Sequence, residues 1–461
     1  MKRQWGVYAL LILCIIFLSL FFGLNRSQVF SVGVFSALIL GTLFFWRFRL
    51  SFAFISIAVL LAAGLIDVPH LLEFAGFDII LFLVGMMVVV GFLEEHRFFE
   101  FLINRVIGVL GHDVNRLLFV IMVMAALFSA LVGEVTSILF MTSTVLHLTG
   151  RYRVNPIPYV LMTVFATNIG SGATVVGNPV GVMIALRAGL TFTDFLRWSS
   201  PIVIASLVVM IPLAIKYFNS EMKELKERMR KFRALKDGVG EPKVHASEFI
   251  ISSIFFVATM LLLVFHHQVE ELLHLERNVM LLGTALGSAG VALIIDRDKA
   301  REIVETRVDW GTLSFFIILF ASVGTLKVMG VTSILARSLS SFAGGNETLL
   351  FASLTLITGV LSAFMDNVLA VATFIPIIQD LQSMGVYSFP LWWGTLFAAT
   401  FLGNLTIIGS TANIVALGMM ERRKVGHITF LQWIKPGLAV SLPTIGLALL
   451  LLYLQIPLMP R

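Results

Sequence analysis

Two acidic residues stand inside long apolar stretches of this 461-residue chain. Glu134 lies in SALVGEVTS, and Asp366 lies in SAFMDNVLA, followed directly by Asn367. A carboxylate at membrane depth is costly and usually faces a cavity, where it titrates or binds a cation. The alternative is structural, because Asp366 or Asn367 suits the N-cap of a helix that begins at Val368. The two roles are compatible, so both acids are candidate ion-binding groups.

Neutral polar side chains gather in two glycine-containing stretches, ATNIGSGATVVGNPVGVMIA at 166–185 and TFLGNLTIIGSTANIVALG at 400–418. A structural reading is that they satisfy backbone groups freed by the glycines. Their recurrence at matching places, Thr174 with Thr406 and Asn178 with Ser410, favours binding instead. The candidate substrate- or ion-binding residues here are Asn168, Ser171, Thr174, Asn178, Asn404, Thr406, Ser410, Thr411 and Asn413. Near the acids, Ser129, Thr136, Ser362 and Asn367 join them.

The first glycine-containing stretch predicts a broken helix, because Gly170, Gly172, Gly177 and Pro179 give up helical backbone geometry. Asn178 suits an N-cap and Pro179 the first helical position, so a half-helix is expected from there to Leu186. Its positive end would lie at mid-membrane depth, where exposed backbone must line a cavity or be buried in protein. Half-helix N-termini suit an anion, whereas carbonyls and carboxylates suit sodium or a proton, so the ligand stays open.

Landmarks recur at a constant distance along the chain, which indicates an internal repeat. ATVVG ends at Gly177 and LTIIG ends at Gly409, an offset of 409 − 177 = 232 positions. Gly91 with Gly324, and Ser129 with Ser362, agree to within one position. We predict N-terminal transmembrane helices at 1–50, a first repeat at 51–218, a cytoplasmic linker at 219–247 and a second repeat at 248–461. Interrupted apolar segments at matching places in two repeats point to the binding site of a secondary transporter.

Composition predicts an all-α polytopic membrane protein. Hydrophobic residues make up 58% of the chain and charged residues 13%, and the mean hydropathy is +0.96. The apolar runs suggest roughly ten or eleven crossings of about 20 residues each, with Ser51 to Ile66 among them. The single cysteine excludes disulfide frameworks and cysteine-rich metal sites within one chain. The formal charge of +6 does not predict nucleic-acid binding, because the basic residues sit in short loops.

Several shorter elements are expected around these spans. Arg116 to Leu131 and Val135 to Leu148 are two half-length apolar pieces that meet at Gly133, which is typical of a re-entrant hairpin. Phe98 to Leu110 reads as an interfacial helix. Lys327 and Arg187, near helix ends, are expected to extend towards the membrane interface. His267, Glu271 and His274 share a helical face that could bind zinc, but interface helices commonly carry such residues, and no metal site is expected.

The distribution of basic residues predicts the orientation of the chain. With the N-terminus and the Arg47/Arg49 turn in the cytoplasm, Phe77 to Leu93 runs inward and its counterpart Trp310 to Leu326 runs outward. The two repeats are therefore expected to be inverted. The 219–247 linker also falls in the cytoplasm, in a multi-pass protein of the cell membrane.

At SALVGEVTSILFMTSTV, NIGSGATVVGNPVGVMIA, SAFMDNVLAVATFIPII and LGNLTIIGSTANIVALG the chain resembles the ion transporter superfamily. The similar branch holds arsenite permeases, NhaD-type sodium/proton antiporters and the melanosomal P protein. The resemblance implies scaffold and transport domains, two re-entrant hairpins, a homodimer and an elevator movement. Asp366-Asn367 retain the acid and amide of the family's hairpin pattern, and Gly133-Glu134 replace them in the first copy. Asn413 matches the asparagine that follows the break in relatives, where Gly181 stands in the first copy.

These observations predict a secondary active transporter, driven by sodium or protons, that moves a small anion or oxyanion, arsenite-type efflux included. The alternative is an NhaD-type sodium/proton antiporter. A channel is separable by whether flux saturates. An enzyme is not expected, because no metal or nucleophilic constellation lies at membrane depth. The expected partners are a small ion and lipid, with Na⁺ or H⁺ as coupling ion, no other cofactor and no nucleic acid.

Overall fold

A computed structural model describes residues 2–110, 113–233 and 246–460, and these residues form helices without any strand. The N-terminal region and the first half contain α1 (Lys2–Phe21), α2 (Arg26–Phe44), α3 (Arg49–Ala62), α4 (Val68–Phe74), α5 (Phe77–Glu95), α6 (Phe98–Leu110), α7 (Val114–Val132), α8 (Glu134–Tyr152), α9 (Ile157–Ser171), α10 (Pro179–Ala188), α11 (Phe192–Asp194) and α12 (Ser200–Tyr217).

After the linker helix α13 (Asn219–Arg233), the second half contains α14 (Ala246–Val264), α15 (His266–Leu273), α16 (Val279–Ile295), α17 (Ala300–Thr306), α18 (Trp310–Val328), α19 (Val331–Ala343), α20 (Glu347–Phe364), α21 (Asn367–Ser383), α22 (Phe389–Leu402), α23 (Thr411–Arg422) and α24 (Phe430–Gln455). The prediction of an all-α polytopic membrane protein is confirmed.

The number of full-length apolar helices is smaller than the sequence suggested. Among the described residues, eight helices are long and apolar enough to cross a membrane, or nine if the bent pair α14 and α15 counts as one span. Over the expected span from Ser51 to Ile66, α3 ends at Ala62 after 14 residues, about 21 Å of helix, so the helix is shorter than the predicted segment. Helices α9, α10, α16 and α22 are apolar but also shorter than 18 residues. The predicted number of ten or eleven crossings stays a prediction.

Helix bounds in the two halves recur at a constant interval. Helix α18 begins and ends 233 positions after α5, and α19 does the same relative to α6 (310 − 77 = 233, 331 − 98 = 233). Tertiary contacts recur too: Gly91 lies against Arg307, and Gly324 lies against Phe74, which stands 233 positions before Arg307 (307 − 74 = 233). The proposed domain limits and the opposite orientation of the two copies stay predictions.

The two hairpins differ at their tips. Helices α7 and α8 meet at Gly133, whose φ of 95° is a conformation that favours glycine. Helices α20 and α21 meet at Met365 and Asp366 instead. The pieces around Gly133 are longer than expected, since α7 and α8 each have 19 residues. The reason is that α8 continues through polar residues as far as Tyr152.

The linker is folded over the part that the structure describes. Helix α13 buries Met222 and Leu225, and Tyr159 Oη on α9 donates a hydrogen bond to the Glu221 carbonyl at 2.7 Å. One face of α13 is therefore apolar and packs on the protein. Residues 234–245 of the predicted linker lie outside the described residues.

Candidate binding site at the helix breaks and hairpin tips

The first break follows the local chemistry that the sequence predicted. Helix α9 ends at Ser171, a short 3-10 turn covers Val175–Gly177, and α10 begins at Pro179. Asn178 Oδ1 accepts a hydrogen bond from the Gly181 N–H at 2.7 Å, which confirms the predicted N-cap. Asn178 Nδ2 donates to Ser171 Oγ at 2.6 Å, so the cap also ties α10 to the end of α9.

The second break repeats this construction with different residues. Helix α22 ends at Leu402 and α23 begins at Thr411, where Ser410 Oγ accepts from the Ala412 N–H at 3.1 Å. Asn413 Nδ2 donates to the carbonyls of Gly403 and Thr406, both at 2.8 Å. The freed backbone of this break is thus satisfied by one side chain.

Gly181 stands where the second copy has Asn413, and the structure explains the difference. A Cβ atom on Gly181 would lie 3.0 Å from the Val175 carbonyl oxygen and 3.1 Å from that of Thr174. Backbone packs directly on backbone in the first break, so there is no room for the amide that bridges the second one.

One asparagine joins the two copies. Asn168 Nδ2 donates to Asn404 Oδ1 at 2.7 Å and to Asn413 Oδ1 at 2.8 Å, and Asn168 Oδ1 accepts from Ser410 Oγ at 3.0 Å. All four side chains are buried. Asn168 therefore uses both of its donors and its acceptor within the protein. The structure brings these predicted site residues together as a satisfied network, which links the two breaks.

Each break is also fastened to the hairpin of its own half. Thr174 Oγ1 donates to the Ala130 carbonyl, and Thr406 Oγ1 donates to the Ala363 carbonyl. Both bonds reach the end of the first hairpin helix, α7 or α20, just before the tip. The matching of Thr174 with Thr406 in the sequence thus corresponds to the same contact made twice.

The two acids of the hairpin tips have different surroundings. Asp366 Oδ1 accepts from the Val368 N–H at 3.0 Å and caps α21, and Asp366 Oδ2 accepts from Thr411 Oγ1 at 2.5 Å. Both oxygens are therefore engaged within the protein. The predicted cap of α21 is confirmed, and the same carboxylate holds the first residue of α23.

Glu134 is buried but incompletely partnered. Its Oε1 receives only a long contact of 3.5 Å from Asn367 Nδ2, and its Oε2 has no hydrogen-bond partner among the described residues. The carboxyl group interacts electrostatically with Asp366, and Ser171 is within its reach. A buried carboxylate without partners is unfavourable, so its charge needs a proton or a cation to offset it.

The remaining predicted hydroxyls lie around the same tips. Ser362 Oγ donates to the Ala399 carbonyl at 2.9 Å. Its counterpart Ser129 is fully buried, yet its Oγ has no partner in the described part of the chain. Thr136, in the first turn of α8, is half-buried. Near the tips, Ser129 and Glu134 of the first hairpin therefore carry open polar atoms, whereas Ser362 and Asp366 of the second are hydrogen-bonded.

Helix N-termini lie together at Glu134. Its own helix α8 starts without any side-chain cap, whereas α10, α21 and α23 are capped by Asn178, Asp366 and Ser410. The contacts from Glu134 to Asn367 and from Asp366 to Thr411 place α8, α21 and α23 side by side. Partial positive charge at helix N-termini favours a nearby anion.

Two charged side chains that were predicted to extend towards the membrane interface have specific partners in the structure. Arg187 at the end of α10 forms two bonds to Asp78 on α5, with Nη1 at 2.6 Å and Nη2 at 2.9 Å. Lys327 on α18 donates to Gln379 Oε1 on α21 at 3.0 Å. Their position inside apolar sequence was visible, but their partners are distant in the chain.

The histidine and glutamate face near His267 holds no metal-binding group of three His, Cys, Asp or Glu among the described residues.

Several apolar spans, paired hairpins and interrupted helices define a multi-pass membrane protein of the transporter class. The chain matches the family model described as citrate transporter over residues 37–341 and 323–460, so it belongs to the citrate transporter family.

The relatives agree with this assignment. An uncharacterized transporter of Mycobacterium tuberculosis is 33% identical over 385 residues, which cover 82% of this chain and 86% of that protein. The human P protein is 24% identical over 471 residues and covers 86% of this chain, which spans 56% of that longer protein. The predicted resemblance to the superfamily of the P protein is confirmed.

The fold has a solved counterpart in the Alcanivorax borkumensis YdaH transporter, whose crystal structure is described as having an unusual topology. The TM-score is 0.56 at 14% identity, over 85% of this chain and 87% of that chain. The likeness concerns the fold alone.

Proposed function

We propose that this protein is a secondary active transporter that moves a small anion across the cell membrane together with a proton or a sodium ion. The observation that carries the proposal is the buried Glu134 carboxyl, which has one oxygen without a partner and lies among helix N-termini. The citrate transporter family is named for an anion, which agrees with this substrate class.

Coupling follows from charge. The helix N-termini favour an anion, but an ionised Glu134 in the same buried region repels it, because Coulomb energies are large where water is excluded. Neutralising Glu134 with a proton or a cation removes that repulsion. Binding of the proton or cation therefore raises the affinity of the protein for the anion, and binding of the anion raises its affinity for the proton or cation. This is a reciprocal coupling. Movement of both together is the simplest consequence.

Asp366 serves as the structural acid in this proposal. Its two oxygens are engaged by the Val368 N–H and the Thr411 hydroxyl, so it has no need of a coupling ion. The asymmetry between Gly133-Glu134 and Asp366-Asn367 thus assigns one acid to coupling and the other to the shape of the site.

The substrate class is tested by counterflow in proteoliposomes that contain the purified protein, with citrate, succinate, inorganic phosphate and arsenite as probes. We expect at least one anion to exchange with saturation and to bind more tightly at lower pH or at higher sodium concentration. A sodium-dependent pH change that needs no anion would establish the sodium/proton antiporter instead.

The coupling role is tested by Glu134→Gln, with Asp366→Asn as the matched acid-to-amide variant. Glu134→Gln is expected to retain exchange but to lose uptake driven by a pH or sodium gradient, because the group that carries the ion is gone. The pH or sodium dependence of whatever transport Asp366→Asn retains should stay as in the wild type. Gradient-driven accumulation by Glu134→Gln at the wild-type level would return Glu134 to a structural role.

A further inference from the structure

A second polar region lies outside the hairpin tips, in a small cavity of about 80 Å³ between α5, α10, α18 and α21. Most of its lining is apolar, with Phe74, Met183 and Phe320 among the walls, and the polar lining residues are Arg187, Lys327 and Gln379. A mostly apolar wall with a few convergent polar groups is the usual form of a binding site, and this volume admits a few waters or one small ion.

The charges around this cavity do not balance. Arg187 is neutralised by Asp78, since the two groups form a bidentate pair at 2.6 and 2.9 Å. Lys327 contacts only the neutral amide oxygen of Gln379, and within the described part of the chain no carboxylate lies within 4.0 Å of its ammonium group. The lining therefore carries one positive charge in excess, supplied by Lys327.

The donors of this cavity are only partly used. An ammonium group has three N–H donors and the one recorded bond of Lys327 uses one of them. The Arg187 guanidinium is held in a fixed orientation by Asp78, whose carboxylate already engages both of its terminal nitrogens, so the unused ammonium donors of Lys327 are the ones that would bind an oxyanion. An excess positive charge and free N–H donors select an oxyanion over a cation or a neutral solute.

The cavity adjoins the site at the breaks along two helices. Met183 follows the α10 cap Asn178 by five residues, and Ala372 follows Asn367, at the start of α21, by five residues. At 1.5 Å per residue, each lies about 7.5 Å along its helix from the ends that surround Glu134. The near wall of the cavity is therefore about one and a half helical turns from these helix ends, whereas the charged Arg187 follows Asn178 by nine residues, about 13.5 Å along α10.

We propose that this cavity is an anion-capture site, in which Lys327, supported by the oriented Arg187, binds the oxyanion before it reaches the hairpin tips. The role of the cavity in capture depends on the proposed anion transport, whereas its selectivity for anions over cations does not. The competing explanation is that Lys327 and Gln379 only fasten α18 to α21, in which case the charge of Lys327 selects nothing.

The test measures the charge preference of a cysteine placed in the cavity. Cys14, the one cysteine of the chain, lies exposed on α1, so Cys14→Ser supplies a cysteine-free background. Val323→Cys on that background places a thiol in the cavity lining, one helical turn before Lys327. The probes are the anionic 2-sulfonatoethyl and the cationic 2-(trimethylammonium)ethyl methanethiosulfonates, applied to the purified protein in lipid vesicles.

We expect the anionic reagent to react faster, and Lys327→Gln to lower the ratio of anionic to cationic rates by roughly tenfold, since a unit charge within about 10 Å changes the local potential by that much at intermediate dielectric. Lys327→Arg should restore the ratio. Arg337→Gln, an exposed cation on the neighbouring helix α19 outside the cavity lining, should leave it unchanged.

An unchanged ratio in Lys327→Gln, or a thiol that neither reagent modifies, would overturn the capture site. The outcomes also separate the two proposals. Anionic preference without flux of any anion in the counterflow panel would refute the transport function and leave an anion-binding cavity. Anion flux without such preference would refute the cavity and leave the transport function.

Discussion

At the scale of single residues, the carboxylates of Glu134 and Asp366 are the same chemical group in different surroundings, and we propose different roles for them. Asp366 has partners for both oxygens, whereas Glu134 has a partner for one, and that at 3.5 Å. An acid with a hydrogen bond to each oxygen suits a structural role, and one with an unpartnered oxygen is better placed to take a proton or a cation. The distinction depends on Thr411, which lies 45 positions after Asp366 in the chain.

The asparagines and threonines of the breaks act mainly on one another. Asn168, Asn404, Asn413 and Ser410 form a buried network that connects the two halves. Thr174 and Thr406 connect each break to a hairpin. These side chains satisfy one another and the backbone, and in doing so they set the positions of the helix ends that would contact a ligand. The structural and the binding roles are therefore compatible. Direct contact between these side chains and the transported ion stays a prediction.

Removing single members of these contacts should stop transport without unfolding the protein. Asn178→Ala deletes the cap of α10 and the bond to Ser171, and Thr406→Ala deletes the bond to Ala363. Each loss costs about 1 to 2 kcal/mol, which a large membrane protein tolerates, but the helix ends lose their positions. Counterflow should therefore fall to background while the purified yield stays normal.

Thr358→Ala is the matched control for this prediction. Thr358 is also buried, but its hydroxyl bonds only to Leu354 within its own helix α20. Transport should survive that change. Flux at the wild-type rate in either Asn178→Ala or Thr406→Ala would contradict the assignment of the breaks as the site.

At the scale of elements, each break is a close crossing of backbone segments. A Cβ on Gly177 would lie 2.0 Å from the Ser171 carbonyl oxygen, and a Cβ on Gly409 would lie 2.6 Å from that of Gly403. These glycines are required for space, because the chain folds back on the end of the preceding helix. The breaks are thus rigid elements of packed backbone, and the capped helices that follow start from them.

Alanine at Gly177 should therefore destabilise the first break. A carbon atom 2.0 Å from a carbonyl oxygen must displace the backbone, at a cost of about 1–3 kcal/mol or more. Thermal unfolding in detergent should shift to a lower temperature, with a parallel loss of counterflow. Gly418→Ala on α23 has open space around its Cβ and should unfold as the wild type does. Equal stability of the two variants would show that the first break is not tightly packed.

At the scale of the whole molecule, the two copies share buried polar contacts at their breaks and hairpin tips. Asn168 of the first copy bonds to Asn404, Asn413 and Ser410 of the second, and Glu134 of the first contacts Asn367 of the second. Each half contributes one hairpin tip and one break to a shared region. Such convergence is expected if the halves are related by an axis in the membrane plane, as in inverted-repeat transporters.

The predicted sides of the linker and of the loop after α15 are testable with single cysteines in the Cys14→Ser background. Ser220→Cys on α13 and Glu276→Cys after α15 both place a thiol at an exposed position. If the N-terminus is cytoplasmic, an impermeant maleimide should label position 276 in intact cells and position 220 only after permeabilisation. Labelling of both from the same side would exclude the proposed topology.

Much of this organisation was predictable because its causes are local. Gly177, Asn178 and Pro179 specify a break, a cap and a first helical residue through their own backbone preferences, and the structure places all three in those roles. The cap at Asp366 and the helix Phe98–Leu110 were predicted on similar grounds and are confirmed. The pairing of Thr174 with Thr406 followed from the repeat itself.

The sequence by itself determined the class of the protein, the repeat, the positions of the breaks and the residues that surround them. The tertiary structure decided which of these residues are satisfied and which are open: it engaged Asp366 with Thr411, left one oxygen of Glu134 without a partner, and paired Arg187 with Asp78, 109 positions away. The physical reason is the separation along the chain over which each kind of interaction acts. Backbone preferences act within a few residues, whereas the partner of a buried polar group is supplied by whichever distant segment packs beside it.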